Sequence, residues 1–128
     1  MAITDYISGL QHLGLPTKAY DETMKFYESL GFKLVYETTN GADRVAFLEQ
    51  KGLVIETYDS QEAAGCPGAV EHVALDVKNI DQLFEEVKSA DYQLVTPEIE
   101  FLDFFDNGVK YFKITGPNGE VIEFCEKL

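Results

Sequence analysis

The sequence predicts an α+β protein built from two tandem β-α-β-β-β units. Three observations carry that prediction. Residues 12–35, HLGLPTKAYDETMKFYESLGFKLV, align without a gap on residues 72–95, HVALDVKNIDQLFEEVKSADYQLV, at an offset of 60. Both stretches open on alternating apolar positions and pass into helical spacing before a second apolar run. Each is then followed by two further strand-like runs, and the last runs share a phrase: GLVIETY at 52–58 and GEVIEFC at 119–125.

The elements follow in order. In the first strand Leu13 and Leu15 share one face and His12 and Gly14 the other; in the second copy Val73, Leu75 and Val77 oppose His72 and Ala74. Asp21 is the expected N-cap of the first helix and Gly31 its end, with Met24, Tyr27 and Leu30 at helical spacing. The second helix is expected to start after Asn79 and to bury Ile80, Leu83, Phe84 and Val87. Strands FKLVYETT and YQLVTP follow these helices. RVAFLEQ then joins GLVIETY through a tight Lys51-Gly52 turn, and VKYFKIT joins EVIEFCEKL through Gly116-Pro117-Asn118-Gly119. The first repeat spans about 5–59, a linker containing Cys66 about 60–69, and the second repeat about 70–127. At 128 residues this reads as one domain of two small halves.

Composition narrows the function. Formal net charge is −13 with ten basic residues, so a nucleic-acid or anionic-membrane partner is not expected. No apolar run approaches the roughly 18 residues of a membrane span. The N-terminus lacks a basic stretch followed by an apolar one, which predicts a cytoplasmic protein. Two cysteines make no disulfide framework. Arg44 is the sole arginine and so the one candidate for a bidentate clamp on a substrate oxyanion.

The chemistry is written in the repeat. Period two places Val54, Glu56 and Tyr58 on one strand face and Val121, Glu123 and Cys125 on its counterpart, with Ile55, Ile122 and Phe124 turned toward the helices. A carboxylate in an apolar run is costly unless it is paired or bound to metal. His12 and His72 point to the same non-helical face, and they are the only two histidines. Two imidazoles and two carboxylates suit a divalent transition metal such as Ni²⁺, Zn²⁺, Co²⁺, Mn²⁺ or Fe²⁺. Tyr58 and Cys125 are candidate pocket residues beside those ligands. In PEIEFLDFFDNG, residues 97–108, Phe101, Phe104 and Phe105 either pack into the core or wall the substrate pocket.

The motifs HLGL…FYESLGFKLV, HVALDV and GPNGEVIEF resemble the vicinal-oxygen-chelate superfamily of glyoxalases, bleomycin-binding proteins and dioxygenases. The resemblance covers about residues 5–126 and implies a cupped mixed sheet with helices on its outer face. The ligand set is most similar to that of bacterial glyoxalase I, which implies His12, Glu56, His72 and Glu123 as ligands. It also implies a metal-dependent isomerase or lyase acting on a small α-oxygenated carbonyl, or its thiol adduct, through an enediolate. Glu123 is the first choice of proton-transfer base and Glu56 the second. The positions where glyoxalase I carries glutathione-contacting arginine and asparagine hold Pro16 and Ser60, so those contacts do not carry over. Alternatives within the resemblance are a non-catalytic antibiotic-binding protein, a metal-dependent thiol transferase and a dioxygenase. The last needs further histidines that this chain lacks. A homodimer is implied by the same resemblance.

Overall fold

The computed structural model describes residues 2–128. The chain divides into two compact units, Met1–Ala63 and Ala64–Leu128. A 3-10 turn at Ile3–Tyr6 precedes the first unit's elements: β1 (Leu13–Thr17), α1 (Tyr20–Ser29), β2 (Lys33–Asn40), β3 (Asp43–Gln50) and β4 (Leu53–Asp59). The second unit holds β5 (His72–Asp76), α2 (Ile80–Ser89), β6 (Gln93–Leu94), β7 (Glu100–Leu102), β8 (Val109–Thr115) and β9 (Val121–Lys127). The repeat is thus realised as two β-α-β-β-β units, with β7 added to the second.

Each unit carries its own mixed sheet. The first has strand order β1-β4-β3-β2 and the second β5-β9-β8-β6, with β7 also on β8. In both, the first strand runs parallel to the last, and that pairing sets the register that matters later. Gly14 lies beside Glu56 in the first unit, and Ala74 lies beside Glu123 in the second. The antiparallel β3–β4 hairpin closes through Lys51 (φ 52°) and Gly52 (φ 85°). Two consecutive positive φ values match the strand twist, as the tight turn predicted from the sequence requires.

The helix-facing side of each sheet is the core. In the first unit Ala46, Leu48 and Ile55 are buried together with Tyr27 and Phe32. The Tyr27 ring meets Phe32 edge-on at 5.3 Å and Phe26 at 4.9 Å. In the second, Phe112 packs between Phe84 (5.1 Å) and Phe124 (4.9 Å), with Ile80, Val87, Ile114 and Ile122 buried around them. Burying one such aromatic side chain contributes on the order of 2–3 kcal/mol. Alternation therefore leaves Glu56, Tyr58, Glu123 and Cys125 on the opposite face, half-buried.

The helix starts differ from each other. The second begins where the sequence placed it, after Asn79 in the left-handed region (φ 56°). Its N-cap function comes from across the sheet: Glu126 on β9 accepts the N–H groups of Asn79 (3.1 Å) and Ile80 (3.0 Å). The first begins at Tyr20, one residue before the expected cap Asp21, which lies in its first turn. The reason is Thr17 at the end of β1. Its hydroxyl accepts the Ala19 N–H at 2.8 Å and meets the Thr23 hydroxyl at 3.1 Å, so the strand end organises the helix start.

Two further corrections concern the second unit. The strand expected over YQLVTP is confined to Gln93–Leu94, because the Thr96 hydroxyl accepts the Lys113 N–H (2.9 Å) where a ladder bond would otherwise continue. The phenylalanines of 97–108 are not core. Phe101, Phe104 and Phe105 are 57%, 54% and 64% exposed. Glu98, Glu100, Asp103 and Asp106 interleave with them, and burying the rings would desolvate those carboxylates. Phe105 instead lies under the Lys127 ammonium, 4.2 Å from the ring centre.

Glu126→Ala removes both acceptors from the start of α2. The expected outcome is a loss of about 1 kcal/mol, read as a lower thermal midpoint, with Glu126→Gln falling between the two.

Candidate functional site

Each unit brings one predicted histidine and one predicted glutamate together. In the first, His12 lies immediately before β1 and its Nε2 is 3.4 Å from Glu56 Oε1 on β4. In the second, His72 opens β5 and its Nε2 is 3.0 Å from Glu123 Oε2 on β9. The parallel register explains both pairs. Gly14 and Ala74, the direct neighbours of the glutamates, lie two residues after the histidines, so ring and carboxylate share a sheet face. Glu123 is the more sheltered carboxylate, at 12% side-chain exposure against 27% for Glu56. No group of three or more His, Cys, Asp or Glu side chains is close enough to hold a metal among the described residues.

The other ring nitrogen is occupied in both units, by residues that the sequence reading did not single out. His12 Nδ1 is 2.9 Å from Gln11 Oε1, and His72 Nδ1 is 2.7 Å from Glu71 Oε1. An amide or carboxylate oxygen only accepts, so Nδ1 carries the proton and donates. In the neutral ring the Nε2 lone pair then faces a carboxylate. A metal ion between the two, or a proton on Nε2, makes such a contact attractive. The distances are compatible with a metal. Atoms about 2.1 Å from one ion and separated by octahedral or tetrahedral angles are roughly 3.0–3.4 Å apart.

The surroundings of the two pairs differ. Phe47 is the cross-strand neighbour of Glu56, and it meets the His12 ring edge-on at 5.7 Å and Tyr36 at 6.0 Å. Lys113 is the neighbour of Glu123, and its ammonium lies 3.8 Å from Glu71. The hydrogen bond from His72, with Lys113 adding to it, holds the Glu71 carboxyl below the ordinary carboxylate range.

The remaining candidates fall in separate places. Tyr58, paired with Pro16 and Val45, and Cys125, paired with Asp76 and Tyr111, lie on the same strand face as their glutamates. Burial, reinforced by Glu123, pushes the Cys125 thiol up, away from thiolate at neutral pH. Arg44 is engaged within its own unit. Its Nε and Nη2 donate to the two oxygens of Asp59 (2.9 and 3.2 Å), its Nη1 reaches Asp21 (3.4 Å), and its carbon centre stacks 4.3 Å over Tyr20. This fork leaves Asp59 acidic and the guanidinium firmly protonated. Buried and donating to Glu37 (2.7 Å), Tyr20 has its hydroxyl ionisation pushed up as well.

A model of the Glyoxalase/Bleomycin resistance protein/Dioxygenase superfamily matches residues 9–124. The chain belongs to this superfamily. Over 127 residues it is 32% identical to the uncharacterized Bacillus subtilis (strain 168) protein YwbC, covering 92% of this chain and 97% of that one. Its fold is that of a glyoxalase family protein from Enterococcus faecalis (TM-score 0.79, 21% identity, 94% and 99% coverage). It is also that of the fosfomycin resistance protein FosX from Listeria monocytogenes, in a crystal with Mn(II) and sulfate (TM-score 0.73, 17% identity, 95% and 94% coverage). The superfamily match spans His12, Glu56, His72 and Glu123. No helix among the described residues is long and apolar enough to cross a membrane.

A thiol held in its neutral form reacts slowly with alkylating agents. At neutral pH, iodoacetamide is expected to label exposed Cys66 well before Cys125, as mass spectrometry of tryptic peptides would show.

Proposed function

We propose that His12, Glu56, His72 and Glu123 are ligands of a divalent transition metal and that the protein is a metal-dependent isomerase or lyase of the glyoxalase I type. The observation that carries this reading is the facing of a histidine Nε2 and a carboxylate at 3.4 Å and 3.0 Å, made twice at matching repeat positions. Nickel, zinc, cobalt, manganese and iron are all compatible with two imidazoles and two carboxylates. When bound, such an ion supplies Lewis-acid polarisation of vicinal oxygens on a small α-oxygenated carbonyl or its thiol adduct.

The chain's own groups supply the rest. His12 and His72 are each oriented through Nδ1. Glu123 is the base that takes the proton from the carbon beside the carbonyl and returns it to the neighbouring carbon, with Glu56 in the lesser role. Its low exposure favours this choice, because water competes least at that carboxylate. Tyr58 and Cys125 flank the glutamates, Cys125 as a neutral wall rather than a nucleophile. The exposed rings of Phe101, Phe104 and Phe105 offer apolar substrate contact. Arg44 is left out of the substrate site, since its fork is already bound to Asp59 and Asp21. With a net charge of −13 as well, strongly anionic substrates are disfavoured relative to small neutral carbonyl compounds.

Metal analysis of the purified protein, soaked in Ni²⁺ or Zn²⁺ and desalted, is expected to show retained metal that is lost in His12→Ala and His72→Ala; no retained metal in the wild-type chain would defeat the reading. Sedimentation of the same sample tests the proposed homodimer. The loaded protein is then assayed on the methylglyoxal–glutathione hemithioacetal in deuterated water, where solvent deuterium entering the product marks proton abstraction. Lack of turnover would discard this substrate and leave the metal site standing. Glu123→Gln is expected to lower turnover at least a hundredfold; full activity with metal retained would remove Glu123 from the role of base.

A further inference from the structure

We propose that Gln11 and Glu71 are positioning residues that lock the two histidines for metal binding, and that their difference makes the second unit's His–Glu pair the stronger of the two. This rests on the metal reading above and goes beyond it by naming the groups that set the strength of each half.

The two residues occupy equivalent places, each immediately before its histidine and 60 positions apart, like the histidines themselves. Both put an acceptor oxygen on Nδ1, at 2.9 Å and 2.7 Å. This fixes the tautomer, holds the ring against rotation about its own bond, and turns Nε2 toward the glutamate of the neighbouring strand. A ligating imidazole needs such an outer partner, because ring orientation and donor strength both depend on it.

The partners are chemically unequal. Gln11 offers a neutral amide oxygen, whereas Glu71 offers a carboxylate, and a charged acceptor pulls the Nδ1 proton harder and makes Nε2 the stronger donor. Glu71 is itself held from the other side by the Lys113 ammonium at 3.8 Å. Lys113 stands across the strand from Glu123 in the register, so this ion pair lies beside the second unit's pair. The corresponding place in the first unit is Phe47, which packs on the His12 ring but cannot brace Gln11 electrostatically. The shorter Nε2-to-carboxylate distance also belongs to the second unit.

The test uses the full chain and Zn²⁺. Zinc affinity, measured by competition with a chromophoric chelator, is expected to fall about tenfold in Glu71→Ala and by less in Glu71→Gln. It is expected to rise in Gln11→Glu, which gives the first unit the partner of the second, and Gln11→Ala is expected to cost less than Glu71→Ala. Long-range ¹H–¹⁵N spectra of the metal-free protein, recorded above neutral pH, are expected to show both rings protonated at Nδ1. Glu71→Ala should release that preference at His72 alone, and Gln11→Ala at His12 alone. Unchanged ring spectra in both alanine variants would overturn the positioning role. Equal affinity losses in the two would overturn the asymmetry. A wild-type chain that binds no zinc would defeat the metal reading, and the metal-free spectra would still decide whether Gln11 and Glu71 orient the rings.

Discussion

A carboxylate facing an imidazole whose other nitrogen already donates is the constraint on which the rest of each unit depends. An unprotonated Nε2 and the glutamate repel; with a proton or a metal ion between them they attract. The fold works to hold that juxtaposition. Parallel pairing of the first and last strands fixes the register of histidine and glutamate. The helix covers the other face of the sheet, so alternation sends Ile55, Ile122 and Phe124 into the core and Glu56 and Glu123 away from it. A one-residue slip in either last strand would exchange these faces and bury the carboxylate against the helix.

Repetition and divergence are both visible. The helices occupy equivalent residues, 20–29 and 80–89, and the histidines keep the same offset. Around this shared frame the contacts have changed. An aromatic wall of Phe47 and Tyr36 stands beside the first pair, and a charged network of Glu71 and Lys113 beside the second. The first unit closes its last hairpin with two residues of positive φ, whereas the second uses the longer Gly116–Gly119 turn and adds β7. Gly119 (φ +77°) is required there, since a Cβ would run into the backbone of Gly65 and Cys66.

Charge is distributed with the same economy. The sole arginine is committed to an internal clamp that ties the start of β3 to the end of β4 and to α1, where Tyr20 lies beneath it. A bidentate fork in such a cluster gives geometric definition as much as energy, because exposed ion pairs contribute little by themselves.

The sequence by itself determined the doubled unit, the face on which each histidine and glutamate lies, the tight Lys51-Gly52 turn and the start of α2. These are local or periodic properties: alternation, helical spacing and turn chemistry act within a few residues. Tertiary structure decided the rest. The first helix starts at Tyr20 rather than at an Asp21 cap because Thr17, on a neighbouring strand end, reaches its backbone. Phe101, Phe104 and Phe105 remain outside because neighbouring carboxylates resist desolvation, a balance that hydrophobicity alone does not express. No motif marks a residue beside a histidine, so only the equivalence of Gln11 and Glu71 in the repeat signals them. Their role depends on which ring nitrogen they meet, and the chain settles that only when a strand pairing turns the other nitrogen toward a glutamate 44 or 51 residues away.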